Sequence, residues 1–225
     1  MKLMFTIPFL FAALPAVAER QSFPPVDEAS RDPSLVAFRD QLLAVVKTRN
    51  TEAVLSAACP EIYLSHGGDG GHEEFRQFLT VPPEMLGEDY RDQAEEMREE
   101  YWSALEKTLS SAGYFDDEGE FWMPHQWRIR LPADIDPFST YFVDGTRVSL
   151  RAAPDPNAKV LDLISHEVVW IDQFAEDTEY QGVILTDGTR GYMHSDFLWS
   201  MVGYRAAFVK SEAGDWQLCT FVAGD

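Results

Sequence analysis

The chain has 225 residues, with 18 Lys and Arg set against 38 Asp and Glu, so its net charge is −20. A field of that sign repels nucleic acid, anionic lipid and other polyanions, and no basic stripe offsets it, which excludes nucleic-acid partners. The length allows two modest domains, and the cysteine content is limited to Cys59 and Cys219.

The first element is an export signal. MKLMFTIPFLFAALPAVA places Lys2 before an apolar stretch from Leu3 to about Leu14, then Pro15 and the small residues Ala16-Val17-Ala18. That order predicts cleavage after Ala18, a mature chain beginning at Glu19, and a periplasmic or secreted location. Cleavage makes the net charge one unit more negative, because Lys2 leaves with the signal. The apolar run falls short of the roughly 18 to 20 residues that cross a bilayer, and no later run approaches that length, so no transmembrane anchor is expected. Glu19, not Cys, follows the cleavage site, which leaves nothing to carry a lipid. In an oxidising compartment two cysteines allow one disulfide, Cys59 to Cys219, tying an early helical region to the last strand; two buried free thiols are the alternative. By the chain-entropy account so long a closure contributes on the order of 4 to 5 kcal/mol.

Residues 19–30 are polar and proline-bearing, a loose lead-in. Asp32-Pro33 then marks a helix start, with Leu35, Phe38, Leu42, Val45 and Val46 on one face. Thr51 caps a shorter helix that Pro60 closes soon after Cys59. The next segment, IYLSHGGDGGHEEFRQFL, opens as a short β-like run, breaks at four glycines, and resumes as a helix with Phe75, Phe78 and Leu79 inward. The longest helix is predicted over about Glu88 to Ser111, from Tyr90, Ala94, Met97, Tyr101, Leu105 and Leu109, with Gly113 as its stop. Residues 31–115 thus read as a helical domain. Residues 116–139 read as an aromatic and proline-rich connector, too rich in Phe121, Trp122 and Trp127 to be a solvated tether.

From Tyr141 the period changes to two, with turns at Asp144-Gly145, Pro154 to Asn157 and Asp187-Gly188. About five short strands with a core of Val148, Leu150, Val160, Leu163, Ile164, Val168, Val183, Leu185 and Tyr192 predict a small barrel. Residues 201–225 add a β-hairpin, with strands at Tyr204 to Lys210 and Trp216 to Val222. The fold class is therefore α+β: helical domain, β-barrel over 140–200, and C-terminal hairpin.

Over about Val143 to Leu198 the sequence resembles a bacterial SH3 domain. The likeness rests on Val148-Ser149-Leu150-Arg151 with Ala152-Ala153-Pro154, on Lys159-Val160-Leu161, and on Asp187-Gly188-Thr189-Arg190-Gly191-Tyr192-Met193-His194. Family members commonly carry Asn at the place of Ser149, a Ser-Gly-Pro-like run at Ala152 to Pro154, and Trp near Tyr180. The resemblance implies an SH3-like barrel and a noncatalytic module, in some relatives binding peptidoglycan peptides. A barrel that merely braces its neighbour is the competing expectation, since fold does not carry function.

Few residues offer chemistry. His66, Asp69 and His72 lie on the glycine-rich loop that runs to Glu74, and imidazoles with carboxylates there suggest Zn²⁺. Their spacing matches no zinc motif, and a tight turn feeding a helix, with Glu73 or Glu74 at its N-terminus, is preferred. Cys59 with His66 or His72 lacks the helix N-terminus that activates a thiolate. Glu95/Glu99 and Glu96/Glu100 lie one helical turn apart but read as a solvated face. No catalytic residue, metal or cofactor is assigned, and the oligomeric state is left open. The expected function is a noncatalytic periplasmic SH3-domain protein that binds cell-wall peptides or an envelope protein partner; the alternative is an envelope hydrolase or metal-dependent enzyme using the His66–Glu74 loop.

Overall fold

The structure, a computed structural model, describes residues 20–132, 135–175 and 178–224. The export signal and Glu19 lie outside the described residues. Within them the fold is mixed α+β and is organised by two sheets.

The first sheet packs against the helices of the region expected to be a helical domain with one short β-like run, and takes its strands from three parts of the chain. Helix α1, Pro33–Lys47, starts as the sequence requires, with the Asp32 carboxylate accepting from the amides of Ser34 and Leu35 and Pro33 in the first turn. Helix α2, Thr51–Ser56, is capped one residue earlier than expected, by Asn50. The chain then turns into strand β1, Ala58–Tyr63, instead of prolonging α2 to Cys59. Pro60 within β1 fits its place at a sheet edge, where a missing N–H costs least. Helix α3 covers Gly71–Thr80 and buries Phe75 and Leu79. The expected long helix is shorter: Glu88–Gln93 forms a 3-10 turn with no buried residue, and α4 runs from Ala94 to Leu109. Regular helix begins where Ala94 first finds a core to face.

Two strands come from the boundary with the expected connector and the connector itself, β2 at Tyr114–Phe115 and β3 at Phe121–Met123. Seven strands of the second sheet, β4 to β10 over residues 140–200, follow in the chain before the C-terminal hairpin, in which β11 is Arg205–Lys210 and β12 is Trp216–Val222. The sheet order is β1-β12-β11-β3-β2. β1 and β12 run parallel, which two strands so distant in sequence can do without a tight turn. The tail therefore returns to the helical region and occupies its centre. Ala206, Ala207 and Phe208 of β11 are fully buried. The helices close the core with Leu35, Leu42, Phe75, Trp102, Leu105 and Leu109. The Trp102 indole N–H donates to the Leu79 carbonyl at 2.9 Å, which satisfies the polar atom of the largest buried side chain. Cys59 and Cys219 sit at disulfide distance on the neighbouring strands β1 and β12, with Cα atoms 4.9 Å apart and 160 residues between them in sequence.

The second sheet comprises β4 Thr140–Val143, β5 Val148–Arg151, β6 Val160–Ile164, β7 Val168–Trp170, β8 Tyr180–Leu185, β9 Arg190–His194 and β10 Leu198–Ser200. Its order is β10-β4-β7-β8-β9-β5-β6, and among the described residues no ladder joins β6 to β10, so the barrel is not closed. Only Ser165–Glu167 separate edge strand β6 from β7, the third strand from the opposite edge. So short a link between distant strands requires the sheet to curl. The core consists of Val143, Val148, Leu150, Ile164, Val169, Ile171, Val183, Leu185, Met193 and Leu198. Four expected members are corrected, the first being Val168, which is buried outside this cluster while its neighbour Val169 belongs to it. Val160 and Leu163 are exposed because β6 is an edge strand, and Met193 takes the inward position assigned to Tyr192. Along a strand a one-residue error of phase exchanges the faces.

A strap, residues 20–28, ties the two regions. The Arg20 guanidinium grips Glu167 at 2.7 and 2.9 Å and Asp162 at 2.7 Å. The Phe23 amide donates to the His166 carbonyl, and the Phe23 ring meets Phe142 edge to face. Further along, Asp27 pairs with Arg39, and Glu28 pairs with Arg31 and Arg128. Among the described residues no helix is long and apolar enough to cross a membrane.

Candidate functional site

The glycine loop is held from within. The Ser65 hydroxyl donates to one Glu74 carboxylate oxygen at 2.8 Å, and the Gly70 amide donates to the other at 2.6 Å. A side chain at Gly70 would collide with the Ile62 carbonyl 2.7 Å away, and its φ of +69° favours glycine, so this turn depends on that residue. His66 shares a hydrogen bond with the Tyr63 hydroxyl at 2.9 Å, and His72 faces the Ala58 carbonyl at 3.3 Å. His66, Asp69 and His72 are not gathered: no group of three or more His, Cys, Asp or Glu able to hold a metal occurs among the described residues. Glu74 acts as the clasp of the turn.

The other sequence candidates have local partners. Glu95 pairs with Arg98, and Glu99 with Arg49 and Arg98, which makes them parts of a surface ion network along α4. Burial raises the Glu120 carboxyl above its usual range, with Asp116 adding to the effect, but the Trp122 indole N–H already donates to both. Burial lowers the His125 imidazole below its ordinary range; its ring nitrogen faces the Phe23 carbonyl of the strap at 3.2 Å. Each of these groups serves the fold.

A groove on the second sheet is different. It has a volume of about 320 Å³, with Thr146 to Ser149 and Arg151 on one side and Tyr180, His194, Asp196 and Phe197 on the other. The register of the β8–β9 hairpin places Tyr180 directly opposite His194. Their rings meet edge to face at 5.1 Å, and His194 meets Phe197 at 6.3 Å, giving a continuous row of three rings. Phe197 is exposed at 43% although it is a large apolar group. The His194 ring nitrogen accepts from the Asp196 amide, which fixes the turn that carries Phe197. Arg147 holds a left-handed backbone, φ +58°, and its amide donates to the Ser165 hydroxyl. Its guanidinium has no hydrogen bond or ion pair among the described residues. Arg151 is steadied by one bond to the Ala158 carbonyl at 3.0 Å.

Such a site can hold a ligand by stacking and charge, with Arg forks suited to carboxylates. Within it the His194 ring lies 3.5 Å from the Asp196 carboxylate, and the Thr146 hydroxyl shares a hydrogen bond with the His166 ring at 3.1 Å. Sequence reasoning noted His194 and the Arg151 motif but did not join them to Arg147, Tyr180 and Phe197. The only signal in the sequence was an arginine at each end of β5 in a strongly acidic chain; the aromatic row needs the hairpin register. No protein-family model matches the chain, and no curated protein or solved structure is significantly similar to it.

Proposed function

We propose that this is an exported, noncatalytic binding protein of the cell envelope, whose second sheet is an SH3-like module that recognises cell-wall peptides. The groove carries this reading: two arginines flank three contacting aromatic rings on a chain of net charge −20. Positive side chains kept on one wall of so acidic a molecule suit a ligand with free carboxylates, and the rings suit its aliphatic or amide parts. The export signal and the cysteine pair at disulfide distance agree with a periplasmic or secreted setting. The first unit serves as the rigid partner to which the strap and the C-terminal hairpin attach the module.

Retention of the mature protein on purified peptidoglycan at physiological salt tests this directly. Wild-type protein is expected to be retained, and an Arg147→Ala/Tyr180→Ala variant to be released to the level of the unbound fraction. Equal retention of a correctly folded variant, or none by wild type, would refute the reading.

A further inference from the structure

A second cavity lies between the two units and shares none of the groove's lining residues. It consists of two adjoining hollows of about 140 and 320 Å³, both bounded by Lys107, Ser111, Gln126 and Asp144. The walls come from the carboxyl end of α4, the 3-10 turn His125–Arg128, the β4–β5 connection and β10. The smaller hollow is completed by Trp199 and Tyr204.

Three features of this cleft point to a ligand. Gln126 is 5% exposed and its amide oxygen meets no donor in hydrogen-bonding geometry, although its side chain lies beside the His125 ring, an uncommon state for a buried acceptor. Lys107 uses its ammonium for one hydrogen bond among the described residues, to the Asp196 carbonyl at 3.3 Å, so it retains donors. The half-buried Asp144 carboxylate accepts no hydrogen bond and joins no ion pair among the described residues. Opposite charges thus line one small cleft without bridging to each other.

We propose that the cleft binds a small zwitterion, a free α-amino acid, with its ammonium toward Asp144 and the Gln126 amide oxygen and its carboxylate toward Lys107. Trp199 and Tyr204 form the wall for the amino acid's side chain. Selection follows from the mixed charges, because an anion meets Asp144 and a cation meets Lys107 without a compensating partner. The hollows are at or below the low end of cavities that take drug-sized molecules, roughly 300 to 1,000 Å³, which restricts the ligand to this size class.

The test is titration of the mature ¹⁵N-labelled protein with each common α-amino acid at millimolar concentration, followed by the N-acetyl and the carboxamide forms of whichever binds. At least one amino acid is expected to shift the side-chain signals of Gln126 and Trp199. Capping either end, or the folded variants Asp144→Asn and Lys107→Met, should weaken it at least tenfold, whereas Arg147→Ala should leave it unchanged. Absence of binding by every amino acid would mean that the cleft holds water alone and would overturn the proposal. Equal binding of the capped forms, or loss of binding in Arg147→Ala but not in Asp144→Asn, would also overturn it.

Discussion

The central strand of the first sheet, β11, buries Ala206, Ala207 and Phe208 completely, whereas edge strand β6 of the second exposes Val160, Leu161 and Leu163 at 41, 46 and 37%. The first sheet is covered by helices and braced by a cysteine pair that joins residues 160 apart. The second relies on its own curl, a smaller core and the strap. Packing is thus concentrated in one region, while the other keeps aromatic and cationic side chains at its surface. A binding module needs such exposed groups, and a thin core stabilises only a short barrel-like sheet. Attachment to a well-packed neighbour offsets that weakness.

The largest predicted effect falls on the first region. Replacing Cys59 and Cys219 by Ser should lower stability by about 4 to 5 kcal/mol on the chain-entropy account, read by urea unfolding. Two reactive thiols in unreduced, denatured protein would remove the basis for that expectation. Trp102→Ala should cost about 3 to 5 kcal/mol, because it opens a cavity and deprives the Leu79 carbonyl of its donor. In the second region Ile164→Val, a smaller change at a fully buried position, should cost about 0.5 to 1.5 kcal/mol.

Arg20→Ala addresses the link between the regions. Its ion pairs are partly exposed, so about 1 kcal/mol or less is expected globally. Hydrogen exchange at the Phe23 amide should nevertheless accelerate while amides of β11 stay protected. Uniform acceleration would show that the two regions open as one.

Acidification should act on the same link. Burial keeps the folded His125 imidazole below its unfolded value of 6.5, so the unfolded chain binds the extra proton first. Stability is complete above about pH 6.5 and falls as pH drops from there toward the folded value. The Asp32 carboxylate, held low first by Lys210 and then by Ser34, responds later. Its contribution is present above the ordinary carboxyl range, near 3.8, and is lost as pH falls below it. His125→Gln should abolish the earlier loss in a pH-dependent thermal melt, and persistence of that loss would assign it to another group.

Local rules in the sequence identified the start of α1, the end strands of the tail and the turns at Asp144-Gly145 and Asp187-Gly188, since each is set by neighbouring residues. They did not reveal that β1 and β12 pair in parallel, because that contact joins distant segments and the start of β1 reads as a helix end. Pro60 read as a helix stop, yet it marks an edge strand. The phase of β9 and the exposure of β6 were equally hidden, for they depend on which strands become edges. In the groove, Arg147, Arg151 and His194 are visible one by one, but only the register of β8 against β9 brings Tyr180 to His194. The glycine loop drew attention by its histidines, while its structural element is Glu74.

On the proposed function, recognition resides in the aromatic and arginine groove of the second sheet. This is tested most directly by adding soluble cell-wall peptides to the ¹⁵N-labelled mature protein and mapping the amide shifts. Shifts are expected to be confined to Thr146–Arg151, Tyr180 and His194–Phe197 and to be absent in Arg147→Ala/Tyr180→Ala. Shifts that fall on the first region, or no shifts at saturating peptide, would contradict it.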